Sequence, residues 1–219
     1  MLRRFTNRAE AGRVLAGRLK AYAHQTDVLV LALPRGGVPV AFEVAEALDA
    51  PLDVFLVRKL GTPGHSELAM GAIASGGVRV LNPMVVEYLA IPDRVIDRVT
   101  ADEQKELERR ERAYRDDRPP IAALGRAIIL VDDGLATGAT MRAAVAALKQ
   151  QHPARIVVAV PVAPVSTCEE LGQEVDEVVC PLSPQQFDGV GRWYEDFSQT
   201  TDDEVRALLE QSRCQAAST

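Results

Sequence analysis

Two adjacent carboxylates, Asp132 and Asp133, followed by Gly134-Leu135-Ala136-Thr137-Gly138-Ala139-Thr140, are the residues of this chain best suited to chemistry. Carboxylates accept hydroxyl protons or bind a magnesium ion. Gly134 and Gly138 permit close backbone approach, and Thr137 and Thr140 add hydroxyl donors. The amides that open a following helix point outward with the positive end of its dipole, which suits a phosphate. An anion cradle alone would avoid Asp132 and Asp133. The expected ligand therefore carries a phosphate together with a group that carboxylates hold, and ribose hydroxyls and magnesium both qualify. No Lys follows the second glycine, which excludes a P-loop. The plain alternative is a strand-to-helix turn with exposed aspartates.

A second loop of similar kind is Pro34-Arg35-Gly36-Gly37-Val38-Pro39. Arg35 suits bidentate contact with phosphate oxygens, and the paired glycines would let backbone amides reach a ligand. Arg58 and Lys59 follow another apolar run, and Leu60-Gly61-Thr62-Pro63-Gly64-His65-Ser66-Glu67 is polar and aperiodic, which predicts a mobile loop. His65 and Glu67 would contribute on closure of such a loop, although an exposed polar segment needs no such role. Phe187, Trp193, Tyr194 and Phe197 concentrate aromatics in a chain otherwise poor in them. They either pack this segment onto the sheet or cover a ligand.

These residues need a scaffold that gathers loops at one edge. Val28 to Leu33, Leu52 to Val57, Ile128 to Val131, Ile156 to Val160 and Val175 to Cys180 are short apolar runs without alternation, as expected of parallel strands covered on both faces. Helices are expected from Asn7-Arg8-Ala9-Glu10, a capping-box start, to about Ala23, over Val40 to Leu48, Met141 to Lys149 and Ser166 to Gly172. The alternation predicts an α/β fold, a doubly wound, mainly parallel sheet of about five strands, with ligands at the carboxyl ends near Leu33, Val57, Asp132 and Val160. Leu68 to Ser75 and Val78 to Leu81 read as a hairpin through Gly76-Gly77. Pro83 to Ala90 is a short helix. A long charged helix from Asp93 to about Arg115 carries Glu106–Arg110, Glu108–Arg112 and Glu111–Arg115 spacings and a thin apolar stripe of Val95, Ile96, Val99 and Leu107. It is either a solvated surface helix, an oligomer contact such as that of a homodimer, or the support of a lid. Asp116-Asp117-Arg118-Pro119-Pro120 ends it as a loop, and Thr201-Asp202-Asp203-Glu204 is a capping box for a last helix.

With 219 residues, 47% hydrophobic and 26% charged, the chain suits a single domain over residues 1–219, with a core of about 28–180. The net charge of −6 gives no electrostatic case for nucleic acid or a membrane surface. No apolar run is of membrane-span length, and Met1-Leu2-Arg3-Arg4-Phe5 leads into a polar helix rather than a signal peptide. Cys168, Cys180 and Cys214 form neither a disulfide framework nor a zinc pattern, so a reducing, cytoplasmic setting is the simple reading, with Cys180 a small buried hydrophobe.

Asp132-Asp133-Gly134-Leu135-Ala136-Thr137-Gly138-Ala139-Thr140 resembles the phosphoribosyl-pyrophosphate signature of the type I phosphoribosyltransferases. Leu31 to Pro39 and Glu67-Leu68-Ala69-Met70-Gly71-Ala72-Ile73 resemble an uncharacterised bacterial group within that family. The resemblance implies that Asp132 and Asp133 take the ribose hydroxyls and that Ala136, Thr137, Gly138, Ala139 and Thr140 wrap the 5-phosphate. It implies that Arg35, Gly36, Gly37, Arg58 and Lys59 meet the pyrophosphate, with Asp132, Asp133, Lys59 and Arg35 the catalytic set. Magnesium would arrive through the ligand, helped by Asp132 and Asp133. Gly61, Gly64, His65 and Glu67 would lie on the flexible loop that closes the site. A small hood of about 181–200, with the hairpin near Gly76 a candidate addition, would cover a nitrogenous base, with Phe187 and Trp193 stacking on it. The implied reaction moves 5-phosphoribosyl from phosphoribosyl pyrophosphate to that base and releases pyrophosphate. The 6-oxopurine enzymes usually carry an acid where this chain has Ala136, and the loop looks more like that of adenine enzymes, which leaves the acceptor open. A non-catalytic sensor of phosphoribosyl pyrophosphate or a nucleotide is the competing class. A dinucleotide oxidoreductase lacks its glycine fingerprint here.

Overall fold

The computed structural model describes residues 4–115 and 118–216, apart from the side chains of residues 65–67 and 216. Five of the apolar runs form one wholly parallel sheet in the order β2-β1-β6-β7-β8, from β1 (Val28–Ala32), β2 (Leu52–Val54), β6 (Ala127–Val131), β7 (Arg155–Ala159) and β8 (Glu177–Val179). Strand alternation divides their side chains between two cores. Val28, Val30, Ala32, Ile129 and Val131 pack under α1 (Arg8–Arg18), α2 (Gly37–Leu48), α4 (Asp93–Arg115) and α7 (Asp202–Ala216). Leu29, Leu31, Ile128, Leu130, Ile156 and Val158 pack under α5 (Ala139–Lys149) and α6 (Val165–Gly172). Both faces are covered, which is why these strands read as unbroken apolar runs. The expected doubly wound α/β sheet is what forms.

The stretch expected as one strand, Leu52 to Val57, divides in two. The Leu56 amide donates to Ser75 Oγ at 3.0 Å and the Ser75 amide returns to the Leu56 carbonyl at 2.9 Å, so the chain leaves the parallel sheet for a new partner. That partner builds a separate antiparallel sheet of β3 (Val57–Thr62), β4 (His65–Ala74) and β5 (Val78–Leu81). Val57 thus starts a strand rather than ending one, and Arg58 and Lys59 lie inside β3. The expected mobile loop from Leu60 to Glu67 is instead the strand-turn-strand of this hairpin. Gly64 takes a positive φ of 80° at the turn, the pairing is irregular around Gly61, and Leu60 and Thr62 are buried. The missed signal was alternation: Leu60 and Thr62 face inward while Lys59 and Gly61 face out. The side chains of His65 and Glu67 lie outside the described residues.

Gly76 and Gly77 both take positive φ, 86° and 75°, and turn β4 into β5 as the sequence predicted. A Cβ on Gly76 would lie 3.1 Å from Gln151, just past the end of α5, and Gln151 donates to the Ser75 carbonyl at 2.9 Å. Since α5 runs back from the carboxyl end of β6, this tip lies at the opposite end of the unit from the strand ends. The hairpin near Gly76 is therefore no part of a hood.

α3 (Pro83–Tyr88) is capped by Asn82, and α4 buries Ile96, Leu107, Tyr114 and Arg115. The outer side of α4 is solvated: Glu106 pairs with both Arg109 and Arg110, and Glu108 accepts from Gln104 in place of the expected Arg112. Arg115 anchors its end. The Arg115 Nε lies 2.9 Å and 3.1 Å from the two oxygens of Asp53 on β2, both side chains being almost fully buried. Asp116 and Asp117 lie outside the described residues. α1 is shorter than expected, ending at Arg18 before a turn of 3-10 helix over Lys20–Tyr22. No helix among the described residues is long and apolar enough to cross a membrane.

Candidate functional site

β1 and β6 are parallel neighbours in direct register, so the loops that follow them emerge side by side. This adjacency brings Arg35-Gly36-Gly37 against Asp132-Asp133. A Cβ on Gly37 would lie 2.8 Å from the Val131 carbonyl oxygen and 3.3 Å from Asp132 Oδ1. A Cβ on Gly36 would lie 2.0 Å from Asp133 Oδ2. The paired glycines are therefore required by contact between the two loops, a reason the sequence did not disclose. The Gly37 amide donates to the Leu33 carbonyl at 3.1 Å, which leaves contact with an anion to Gly36.

The Asp132–Thr140 loop is built for an open end. Leu135 donates to the Val162 carbonyl at 2.9 Å, and Thr167 of α6 donates to the Ala136 carbonyl at 2.8 Å, fixing the path of the backbone. Gly138 takes φ 69° at the N-cap of α5, a left-handed conformation that a Cβ would strain. The N-cap residue, a glycine, has no side chain to cap the helix, the Ala139 amide makes only a long bond to Thr137 Oγ1 at 3.4 Å, and Ala136, Thr137, Ala139 and Thr140 are exposed. The first-turn amides thus lack the usual acceptor from the N-cap side chain. Gly134 touches the C-terminal segment: a Cβ there would come within 2.6 Å of Val190 Cγ1.

Burial dominates the electrostatics of the two aspartates. It holds the Asp132 carboxyl well above the ordinary carboxylate range, and the neighbouring Asp133 charge pushes the same way. Asp133 is also raised by burial, but the Arg8 guanidinium pulls it back. A carboxyl raised in the folded state stabilises the fold fully below its unfolded value, and that contribution is lost as pH rises through the folded value. Asp132 Oδ1 accepts from the Asp133 amide at 2.8 Å, and an amide side chain keeps that acceptor. Asp132→Asn is therefore expected to raise the melting temperature near about pH 8, by about 2–4 °C for each kcal/mol of relieved ionisation. The gain should vanish toward about pH 4, and thermal unfolding at both pH values checks it. A gain of equal size at both would contradict the assignment.

The remaining cations are less free than the sequence implied. Arg35 Nη1 stands 3.8 Å from Asp202 at the start of α7, a half-exposed pair worth no more than about 1 kcal/mol. A polyphosphate would displace it. Arg58 is held by Glu103 of α4 at 2.6 Å, whereas its neighbour Lys59, on the other face of β3, is exposed. The structure brings Arg35, Gly36, Gly37, Asp132 and Asp133 together and engages Arg58 elsewhere.

The C-terminal segment expected as a hood packs against the N-terminal segment around Phe5. Phe5 pairs in parallel with Tyr194: the Phe5 amide donates to the Trp193 carbonyl and the Glu195 amide donates to the Phe5 carbonyl, both at 2.8 Å. Phe187, Val190 and Trp193 pack on a cluster of Phe5, Ala11, Val162, Leu182 and Tyr194. Packing thus accounts for most of the aromatic concentration. Trp193 Nε1 is buried without a partner among the described residues. The sequence reading missed Arg8 and Tyr194: the Tyr194 hydroxyl donates to the Asp133 carbonyl at 2.6 Å, and Arg8 meets the Asp133 carboxylate at 2.8 Å. Nothing in their local sequence marks them, because each lies over sixty residues from its partner.

Cys180 is only partly buried, its thiol against Ser183 at 3.4 Å and its pKa pushed upward, mainly through hydrogen bonding with Cys168. No group of three or more His, Cys, Asp or Glu side chains fit to hold a metal occurs among the described residues. The protein itself offers magnesium two carboxylates, and a bound ion would draw its other oxygens from ligand and water.

Residues 3–191 match the model of the phosphoribosyl transferase domain. Two proteins from strains of Mycobacterium tuberculosis, provisionally assigned as phosphoribosyl transferases, are 47% identical over 208 residues. The match covers 95% of this chain and 47% of theirs, so the chain spans about half the length of these curated relatives. The crystal structure of the TT1426 protein from Thermus thermophilus matches with a TM-score of 0.86 and 45% identity, over 95% of this chain and 98% of that one.

Proposed function

The chain belongs to the phosphoribosyl transferase domain family, and from that premise we propose that it transfers 5-phosphoribosyl from phosphoribosyl pyrophosphate to a nitrogen of a small base, releasing pyrophosphate. The observation that carries this reading is the contact between the Arg35-Gly36-Gly37 loop and Asp132-Asp133, enforced by glycines that no side chain could replace. One loop supplies cation and amide for a pyrophosphate. The other supplies carboxylates for ribose hydroxyls and, five residues on, the glycine-capped start of α5 for the 5-phosphate.

The difficulty in such a transfer is a cationic ribosyl centre beside a departing, highly charged group. Asp132 and Asp133 orient the ribose and favour its positive charge. Arg35, the Gly36 amide and Lys59 neutralise the leaving pyrophosphate, and the β3–β4 hairpin carries Lys59 to it. Magnesium, bound through the pyrophosphate with help from Asp132 and Asp133, would add charge neutralisation there. The hood of residues near Phe5 and 181–200 covers the acceptor side, with Phe187 and Trp193 the candidate stacking groups. Lys59→Ala is expected to slow transfer about tenfold to a hundredfold while ribose 5-phosphate still binds. Kinetics equal to those of the unmutated protein would end the leaving-group assignment.

The decisive experiment incubates the protein with phosphoribosyl pyrophosphate, magnesium and a panel of purine and pyrimidine bases, and follows pyrophosphate release. Release with one base supports transfer and names the acceptor. A second reading, a non-catalytic sensor, is favoured by one observation: Arg58 is engaged by Glu103 rather than left to a ligand. Tight binding of phosphoribosyl pyrophosphate with no release on any base would support it. No binding at all would overturn both.

A further inference from the structure

α1 looks structural from its sequence, yet its first residue reaches the pair of aspartates. Asn7 caps the helix by accepting from the Glu10 amide at 2.9 Å, which fixes the direction in which Arg8 leaves it. Arg8 then uses every edge of its guanidinium. Nε and Nη2 both reach Asp133 Oδ2 at 2.8 Å, and Nη1 donates to the Ser198 carbonyl at 2.7 Å. Its face lies 4.0 Å above the Phe197 ring. Arg8 is 12% exposed and Asp133 14%.

The way Arg8 grips Asp133 differs from the way Arg115 grips Asp53. Arg115 touches both oxygens of its carboxylate, as ion pairs built for mutual satisfaction do. Arg8 places both nitrogens on one oxygen. That oxygen is also the one that a Cβ at Gly36 would strike, so Oδ2 is seated between Arg8 and the Gly36 backbone. Among the described residues no side chain donates to Oδ1, which can receive another donor. The Asp133 backbone is held as well, through the Tyr194 hydroxyl on its carbonyl at 2.6 Å.

We propose that Arg8 is a positioning residue of the donor site: it locks Asp133 Oδ2, presents Oδ1 to a ribose diol, and ties the Phe197–Ser198 segment of the hood to the same carboxylate. The proposal rests on the reading of Asp133 as a ribose acceptor. Arg8 itself does not touch the ligand. Its effect should therefore appear only with ligands that carry ribose hydroxyls.

Calorimetric titration of wild type, Arg8→Met and Arg8→Lys with ribose 5-phosphate and, separately, with inorganic phosphate tests this. Arg8→Met is expected to lose about tenfold or more in affinity for ribose 5-phosphate, the equivalent of one charge-assisted hydrogen bond, and less than about twofold for phosphate. Arg8→Lys keeps the charge without the planar fork. It is expected to fall about threefold for ribose 5-phosphate alone, and this reading stands even if Arg8→Met fails to fold. In an Asp133→Asn background, Arg8→Met should add no further loss. Equal losses for both ligands, or losses from Arg8→Met and Asp133→Asn that multiply, would overturn the positioning role. A wild type that binds phosphate but is indifferent to ribose 5-phosphate would instead overturn the donor-site reading.

Discussion

Asp133→Asn is expected to abolish turnover and to weaken binding of magnesium-loaded phosphoribosyl pyrophosphate by about tenfold to a hundredfold. The amide keeps the shape of the side chain but gives up the charge that Arg8 and a ribose diol both require. Charge-assisted hydrogen bonds are about twice as strong as neutral ones, and both sets are weakened at once. Calorimetry and pyrophosphate release separate the two effects. Unchanged affinity would remove Asp133 from the ribose site whatever its effect on rate.

The largest effect on stability should come from the edge strand β2. Arg115→Met leaves the Asp53 carboxylate buried with, among the described residues, the Val54 amide at 2.8 Å and the Ile121 amide at 3.2 Å to compensate it. Arg115 also donates to the Val54 carbonyl and pairs with Glu111 at 3.0 Å, so one substitution opens three contacts. Breaking a buried pair from one side costs about 3–5 kcal/mol, roughly 10 °C in melting temperature for a chain of this size. Replacing both partners, Arg115→Met with Asp53→Leu, should recover much of that loss, because no unpaired charge is left. Denaturant unfolding of the two variants checks both statements. A loss below about 1 kcal/mol for the single variant would show that solvent reaches Asp53.

How far the sequence carries depends on the range of the interaction involved. The five parallel strands, the Gly76-Gly77 turn and the Thr201–Glu204 capping box follow from local pattern, and the last forms as a reciprocal pair, Glu204 amide to Thr201 Oγ1 and Thr201 amide to the Glu204 carboxylate. The Asp132–Thr140 loop is legible for the same reason: strand, turn and helix are consecutive. Leu60 to Glu67 misled because glycines and a proline outweighed a short alternation, and tertiary pairing with β4 overrode local propensity. Arg8 and Tyr194 were invisible because their partner is set by topology, which brings the N-terminal and C-terminal segments to the loop after β6. Arg58 illustrates the converse: its type and place suggested a ligand contact, and an acid 45 residues later holds it.

The pairing of Phe5 with Tyr194 also has a consequence for synthesis on the ribosome. The two residues are separated by nearly the whole chain, and at about 5–20 residues per second Phe5 waits roughly 10–40 s for its partner. β1, β6 and the loops that follow them are translated before that moment, so Arg35-Gly36-Gly37 and Asp132-Asp133 precede the segment whose Tyr194 hydroxyl holds the Asp133 carbonyl. Until Trp193 and Tyr194 emerge, Phe5 and Ala11 have no hood to bury them. During synthesis Phe5 therefore waits as an exposed apolar edge for the segment that buries it, and that edge is what a chaperone would meet.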